Sequence, residues 1–169
     1  MHKIKLLYSY AVKILTCLLP DTPAIMRFRG ALYSLMMMKC GRNFQVSATA
    51  TIRGLQNISV GDDVYFGPNS YLISTYGVEL WDEVLIAMNT VIIDGNHGID
   101  RGSYRFAKGK RKKIVIGFGS WVAANCVISA GAEIGNSCVI GACCHVNSKI
   151  EDRSIIFSTV NNKVYDNER

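Results

Sequence analysis

From Ile116 to Val146 an aliphatic side chain recurs at every sixth position: Ile116, Val122, Ile128, Ile134, Ile140 and Val146. A period of six fits neither the 3.6 residues of an α-helix nor a sustained two-residue alternation, and short fixed periods mark β-solenoids. Two residues before each aliphatic stands a second inward position, at Ile114, Ser120, Cys126, Ala132, Cys138 and Cys144, because side chains two apart share one face of a strand. Three residues after the aliphatics, where the chain must turn a corner, come Gly119, Asn125 and Gly131, with Asp63, Asn69 and Asn89 upstream. These residue types tolerate positive φ. The same register runs back through Val46, Ile52, Val60, Phe66, Leu72, Leu80, Ile86 and Ile92, with longer steps from 52 to 60 and from 72 to 80.

Three such faces closing one triangular coil predict a mainly β protein, a parallel β-helix of about five coils, each rising about 4.8 Å. The two longer steps read as corner insertions. The solenoid is expected over residues 46–169, behind a helical segment at 1–45. Within that segment Lys5 and Lys13 break the apolar run of residues 3–19 and no small-residue cleavage site follows, so neither a signal peptide nor a membrane span is expected. Asp21, Thr22 and Pro23 stop one helix and start another, which carries Met26, Phe28, Leu32, Leu35 and Met36 at helical spacing. A pair of amphipathic helices rich in Leu, Met, Tyr and basic residues suits two placements. They either cap the open end of the solenoid or make a peripheral contact with an anionic membrane through residues 1–40.

Length and composition add little division: 169 residues, 49% hydrophobic, make one domain. Six cysteines contain no CxxC pair, and Cys126, Cys138 and Cys144 fall on the inward lattice, so reduced core thiols and cytoplasmic surroundings are expected. Cys126 and Cys144 should sit one above the other without bonding.

Between Ile92 and Ile114 the repeat gives way to an excursion at about 94–113, longer than a corner requires. It holds His97 in the segment Asp94-Gly95-Asn96-His97-Gly98. A histidine near its ordinary pKa takes a proton from a hydroxyl at neutral pH when another group fixes its tautomer, here Asp94, Asp100 or a backbone carbonyl. His2 is terminal and His145 precedes Val146 on an outward position, so three histidines around a zinc ion are not expected. The excursion also carries Arg101, Arg105, Lys108, Lys110, Arg111, Lys112 and Lys113 with no acid among them. No recognition helix or stacking array accompanies this run, which points away from nucleic acid and toward a phosphate-bearing small molecule.

The segment Leu80-Trp81-Asp82-Glu83-Val84-Leu85-Ile86-Ala87-Met88-Asn89, followed by Gly95-Asn96-His97-Gly98, resembles the IGDNVLIAPN and catalytic-histidine segments of the hexapeptide-repeat acyltransferases, especially the maltose, galactoside and polysaccharide O-acetyltransferases. Ile114-Val115-Ile116-Gly117, Ser120-Trp121-Val122-Ala123 and Ile134 to Ala142 are similar to further segments of that family. The resemblance runs from about Val46 to about Tyr165. It implies a left-handed β-helix, a homotrimer with sites between neighbouring subunits, acetyl-CoA as cosubstrate without a metal, and His97 as general base. It also implies that Trp121 lines the acyl site, that Ala123, Ala124 and Ala142 let pantetheine run along the coil, and that Lys163 meets coenzyme A phosphates. Gly67 replaces the acceptor-binding asparagine common in the family, with Asn69 nearby, and Ser158 to Lys163 replaces the usual closing segment. The expected activity is acetyl transfer to a sugar hydroxyl in surface-polysaccharide synthesis. The alternatives are a non-catalytic scaffold or an N-acetyltransferase acting on an amino sugar.

Overall fold

The computed structural model describes residues 2–159, with side chains from Ile4 onward. Two helices, α1 (His2–Thr16) and α2 (Pro23–Ser34), precede a train of strands two or three residues long. The strands wind into a parallel β-helix with three faces. Face A stacks Lys39–Cys40, Ile58–Val60, Val78–Leu80, Ile114–Ile116, Glu133–Ile134 and Lys149–Ile150. Face B stacks Gln45–Val46, Tyr65–Phe66, Leu85–Ile86, Trp121–Val122, Val139–Ile140 and Ile155–Ile156. Face C stacks Thr51–Arg53, Tyr71–Ile73, Val91–Ile93, Val127–Ser129 and His145–Val146.

The aliphatic lattice fills the interior: Ile116, Val122, Ile128 and Ile140 are fully buried, as are Ser120, Cys126 and Ala132 on the second inward lattice. The coil begins earlier than Val46, because Lys39 and Cys40 already pair with Ser59 and Val60, and face A reaches six strands rather than about five. Cys40 occupies the lattice position there, and as a small residue it interrupts the aliphatic signal. Cys126 and Cys144 are free, buried thiols one residue before two paired strands of face C, and burial raises the Cys126 thiol above its usual value.

Coil length changes at one edge only. Ser59 pairs with Glu79, Val115 with Glu133, and Glu133 with Lys149, so successive coils shorten. The extra residues of the early coils sit where face C turns into face A. A 3-10 turn, Leu55–Asn57, occupies that edge in one coil, residues 74–77 in the next, and the excursion of residues 94–113 in the third.

Where face A turns into face B, aspartates stitch coils together. Asp62 Oδ1 accepts the Arg42 N–H at 2.7 Å, Asp82 Oδ1 the Asp62 N–H at 2.7 Å, and Asp152 Oδ1 the Asn136 N–H at 2.8 Å. Each carboxylate descends onto a glycine: a Cβ at Gly61 would lie 2.2 Å from Asp82 Oδ1, and one at Gly135 2.4 Å from Asp152 Oδ1. At the coil where Phe118 stands in register above Asp82, no such carboxylate arrives, and Trp81 takes the glycine's place.

The helices close the first coil. Buried Arg29 of α2 donates to the Thr16 and Leu19 carbonyls, the Val46 carbonyl and the Asp21 carboxylate at 3.0 Å, which satisfies its charge. Asp21 also accepts from Ser47 Oγ and the Ala48 N–H. Pro23 starts α2 behind Thr22, as the sequence predicts.

Candidate active site

The outward column of face A is mostly polar, Val115 aside, where that of face B is mostly apolar, Gln45 aside. Ser59, Glu79, Glu133 and Lys149 point out from the former; Tyr65, Leu85, Trp121 and Val139 stack in register on the latter. At the edge where face B turns into face C, small residues follow: Ala87, Ala123, Ala124, Gly141 and Ala142. Together with Pro68, Met88 and Phe157 they line an open apolar groove of about 660 Å³. Trp121, Ala123, Ala124 and Ala142 therefore converge on one groove. Trp121 is half exposed on its wall. The backbone N–H groups of Ala124 and Ala142 make no hydrogen bond to another described residue, so they are available to a ligand.

Tyr65, Leu85, Val139 and Phe157 were not singled out from the sequence. The signal that finds Tyr65, Leu85 and Val139 is the outward position one residue before each buried Phe66, Ile86 and Ile140, followed coil by coil; Phe157, which follows Ile156, has no such signal. Gly67 lies at the same edge with its backbone against the next coil; a Cβ there would meet the Ile86 carbonyl oxygen at 2.8 Å, which explains why a larger residue is absent. Asn69 has φ 54 and receives a hydrogen bond from no described side chain, while its own N–H donates to Thr49 Oγ1 at 2.9 Å. Lys163 lies outside the described residues.

His97 begins the loop that is closed by the antiparallel pairing of Gly95–Asn96 with Lys110–Arg111. Its imidazole is exposed and makes no hydrogen bond to a described residue. Asp94 does not orient it. That carboxylate is buried beneath the preceding coil, where it accepts from Ser74 Oγ at 2.8 Å, from the Thr75 N–H and Oγ1 at 2.9 Å, from the Tyr76 N–H at 2.7 Å and from the Gly77 N–H at 2.8 Å. Asp94 thus anchors the root of the excursion rather than the imidazole. Of the basic run, Lys113 pairs with Glu79 at 2.7 Å and Arg105 lies over the Phe106 ring, while Arg101, Lys108, Lys110, Arg111 and Lys112 form no ion pair among the described residues. His145 is exposed and shares a 2.8 Å hydrogen bond with Ser129 Oγ. No three His, Cys, Asp or Glu side chains gather as a metal site among the described residues. Cys143 is exposed at the corner beside Ala142, with φ 62.

The groove and the histidine occupy different parts of the prism. The groove lies on face B, whereas His97 rises from the edge between faces C and A, the one edge that does not bound face B. A single copy therefore holds two separated halves.

Residues 113–148 match the family described as bacterial transferase hexapeptide (six repeats), and residues 57–93 match the hexapeptide repeat of succinyl-transferase. The galactoside O-acetyltransferase of Escherichia coli K12 is 28% identical over 120 residues, 71% of this chain and 59% of that relative. A putative colanic acid biosynthesis acetyltransferase of the same organism is 26% identical over 116 residues, 69% of this chain and 62% of its own length. The match thus spans less than two thirds of either relative. Among solved structures, a hexapeptide-repeat acetyltransferase of Vibrio cholerae, complexed with acetyl coenzyme A, superposes with a TM-score of 0.72 at 20% identity over 90% of this chain and 81% of that one, which establishes the shared fold. The repeats, the order of their segments and the solenoid they build are similar to those of the hexapeptide-repeat transferases, whose models match two stretches of this chain.

Proposed function

We propose that the protein is an acetyl-CoA-dependent O-acetyltransferase that acetylates a sugar hydroxyl in the cytoplasmic stages of surface-polysaccharide synthesis. The observation that carries this reading is the face B groove, apolar along its walls, floored by small residues and edged by the unbonded Ala124 and Ala142 N–H groups. Such a trough suits the pantetheine arm of coenzyme A, whose amides need a few backbone partners along an otherwise apolar path. Relatives named galactoside O-acetyltransferase and colanic acid biosynthesis acetyltransferase support the sugar and the polysaccharide setting.

In this reading the thioester lies near Trp121, and the unpaired cations of the excursion, with Lys163, face the phosphates of the cosubstrate. The acceptor hydroxyl attacks the thioester carbonyl carbon as His97 Nε2 or Nδ1 takes its proton. The oxyanion is stabilised by a backbone N–H, then collapses with loss of the coenzyme A thiolate, which receives the proton from the imidazolium. The products are the sugar acetate ester and coenzyme A. Because His97 lies across the prism from the groove, the base is supplied by a neighbouring copy in a closed homotrimer. The copy that carries the groove then orients the imidazole, which makes no hydrogen bond to a described residue of its own chain.

Thioester cleavage measured over a panel of soluble sugar acceptors tests the reading. At least one acceptor should raise the rate well above hydrolysis, and His97→Ala should lower turnover by about 100-fold or more while leaving coenzyme A binding unchanged. Turnover near the wild-type level in His97→Ala would exclude the histidine as base.

A further inference from the structure

Helix α1 turns its polar side toward the protein. Ser9, Val12 and Thr16 are the buried positions, with Ser9 Oγ donating to the Ile52 carbonyl and Thr16 Oγ1 to the Val12 carbonyl. Ile4, Leu7, Ala11, Ile14 and Leu15 recur at the spacing of a single helical stripe and all are exposed. Leu7 is 67% and Leu15 78% open, and Leu18, just past the helix on the same line, 93%. A stripe with this spacing normally faces a core. Here it faces outward.

Charge singles out the same end. Residues 1–61 carry eight lysines and arginines and one acid, Asp21, whose carboxylate is already engaged by Arg29, Ser47 and Ala48. The remainder of the chain holds eleven basic and twelve acidic residues, so the formal net charge of +6 resides at the helical end. Under α1 a cleft of about 590 Å³ opens between Leu6, Tyr10, Ile14 and Tyr71, with Lys13 and Arg53 on its lining. Neither cation forms an ion pair among the described residues; Lys13 Nζ donates to Thr51 Oγ1 at 2.5 Å.

We propose that α1 and this cleft dock the protein on the surface of an anionic phospholipid bilayer. The helix lies in the plane of the interface with its outer stripe among the acyl chains, and Lys13 and Arg53 meet headgroup phosphates. A second copy seated on the same patch would oppose two cationic surfaces with no free acid to pair them, whereas anionic headgroups supply the missing charge. No helix among the described residues is long and apolar enough to cross a membrane, so the contact is superficial. The proposal stands independently of acetyl transfer.

Co-sedimentation of the full chain with large unilamellar vesicles tests it. Vesicles of equal parts phosphatidylcholine and phosphatidylglycerol should bind the protein about tenfold or more tightly than phosphatidylcholine alone, with the difference shrinking as salt rises. Combining Leu7→Glu, Leu15→Glu and Leu18→Glu should weaken that binding by about tenfold or more while the melting midpoint, the oligomer mass and acetyl transfer to a soluble acceptor stay unchanged. Arg53→Glu, a single exposed substitution, should weaken it by roughly fivefold or more. Wild-type protein that ignores both vesicle types overturns the proposal, as do variants that bind as tightly as wild type. A triple variant whose oligomer mass falls, with wild-type protein indifferent to vesicles, assigns the stripe to a contact between copies and overturns it equally.

Discussion

A single buried carboxylate holds the root of the excursion loop. Five donor groups from residues 74–77 converge on Asp94. Burial pushes its carboxyl upward, but the Thr75, Tyr76 and Gly77 N–H groups and the Ser74 hydroxyl outweigh that and hold it below the ordinary carboxylate value. The ionised form is therefore favoured by folding, so its stabilisation is complete above the unfolded value near 3.9 and is lost as pH falls through the lower folded value. Asp94→Asn turns an amide NH₂ toward those donors, and urea unfolding at neutral pH should show a loss of about 2–3 kcal/mol. Its stability should also lack part of the acid decline of the wild-type chain below about pH 4. An unchanged unfolding midpoint would mean that the 74–77 corner holds itself. From the sequence, Asp94 reads as a partner for His97, three residues away; a carboxylate's appetite for donors is visible in a sequence, but which donors the neighbouring coil brings to it is not.

Corners of the coil show the same division between what the chain states and what stacking imposes. Gly119, Asn125, Gly131, Asp63, Asn69 and Asn89 all have positive φ, as their types predict. Glu83, Ser137, Cys143 and Arg153 share that conformation although nothing in their side chains favours it. The register of the coil above and below sets their φ, at a cost of roughly 1–2 kcal/mol per residue. Likewise the strand Lys39–Cys40 is hidden because Cys40 fills a position that the period marks with an aliphatic. Where an aspartate of one coil descends on a glycine of the previous one, space rather than φ decides. Gly61→Ala places a methyl against Asp82 Oδ1 and the Asp82 N, and thermal unfolding should report a loss of about 1–3 kcal/mol. The same exchange at Gly77, which also lacks a positive φ and meets only Lys113 side-chain carbons at 3.5 and 4.0 Å, should cost much less; a similar loss there would rule out the close approach as the cause.

At the scale of the whole molecule, the period of six and the order of segments point to both halves of the proposed site, His97 and the Trp121-to-Ala142 groove, yet not to their separation across the prism. Handedness of assembly and distance between faces are properties of closed coils, not of spacing along the chain. That separation gives a direct test. His97→Ala and Ala142→Trp should each be nearly inactive alone, the second because an indole fills the groove. Subunits of the two mixed in equal amounts and reassembled should regain roughly one quarter of wild-type turnover, the statistical share of contacts in which an intact histidine meets an intact groove in a closed ring. A mixture as inactive as its parents would place the whole site within one chain.

The edge between faces C and A has one more consequence. Ile93 pairs with Ile73 and Ser129, and Ile114 pairs with Val78, as though the intervening residues were a short corner. The β-helix is blind to the length of what is inserted there. A segment bearing the candidate base and the cations can thus be exchanged as a cassette, and, in the proposed activity, selectivity for the acceptor can be altered by editing that stretch alone, with the groove proposed for the acyl donor left intact.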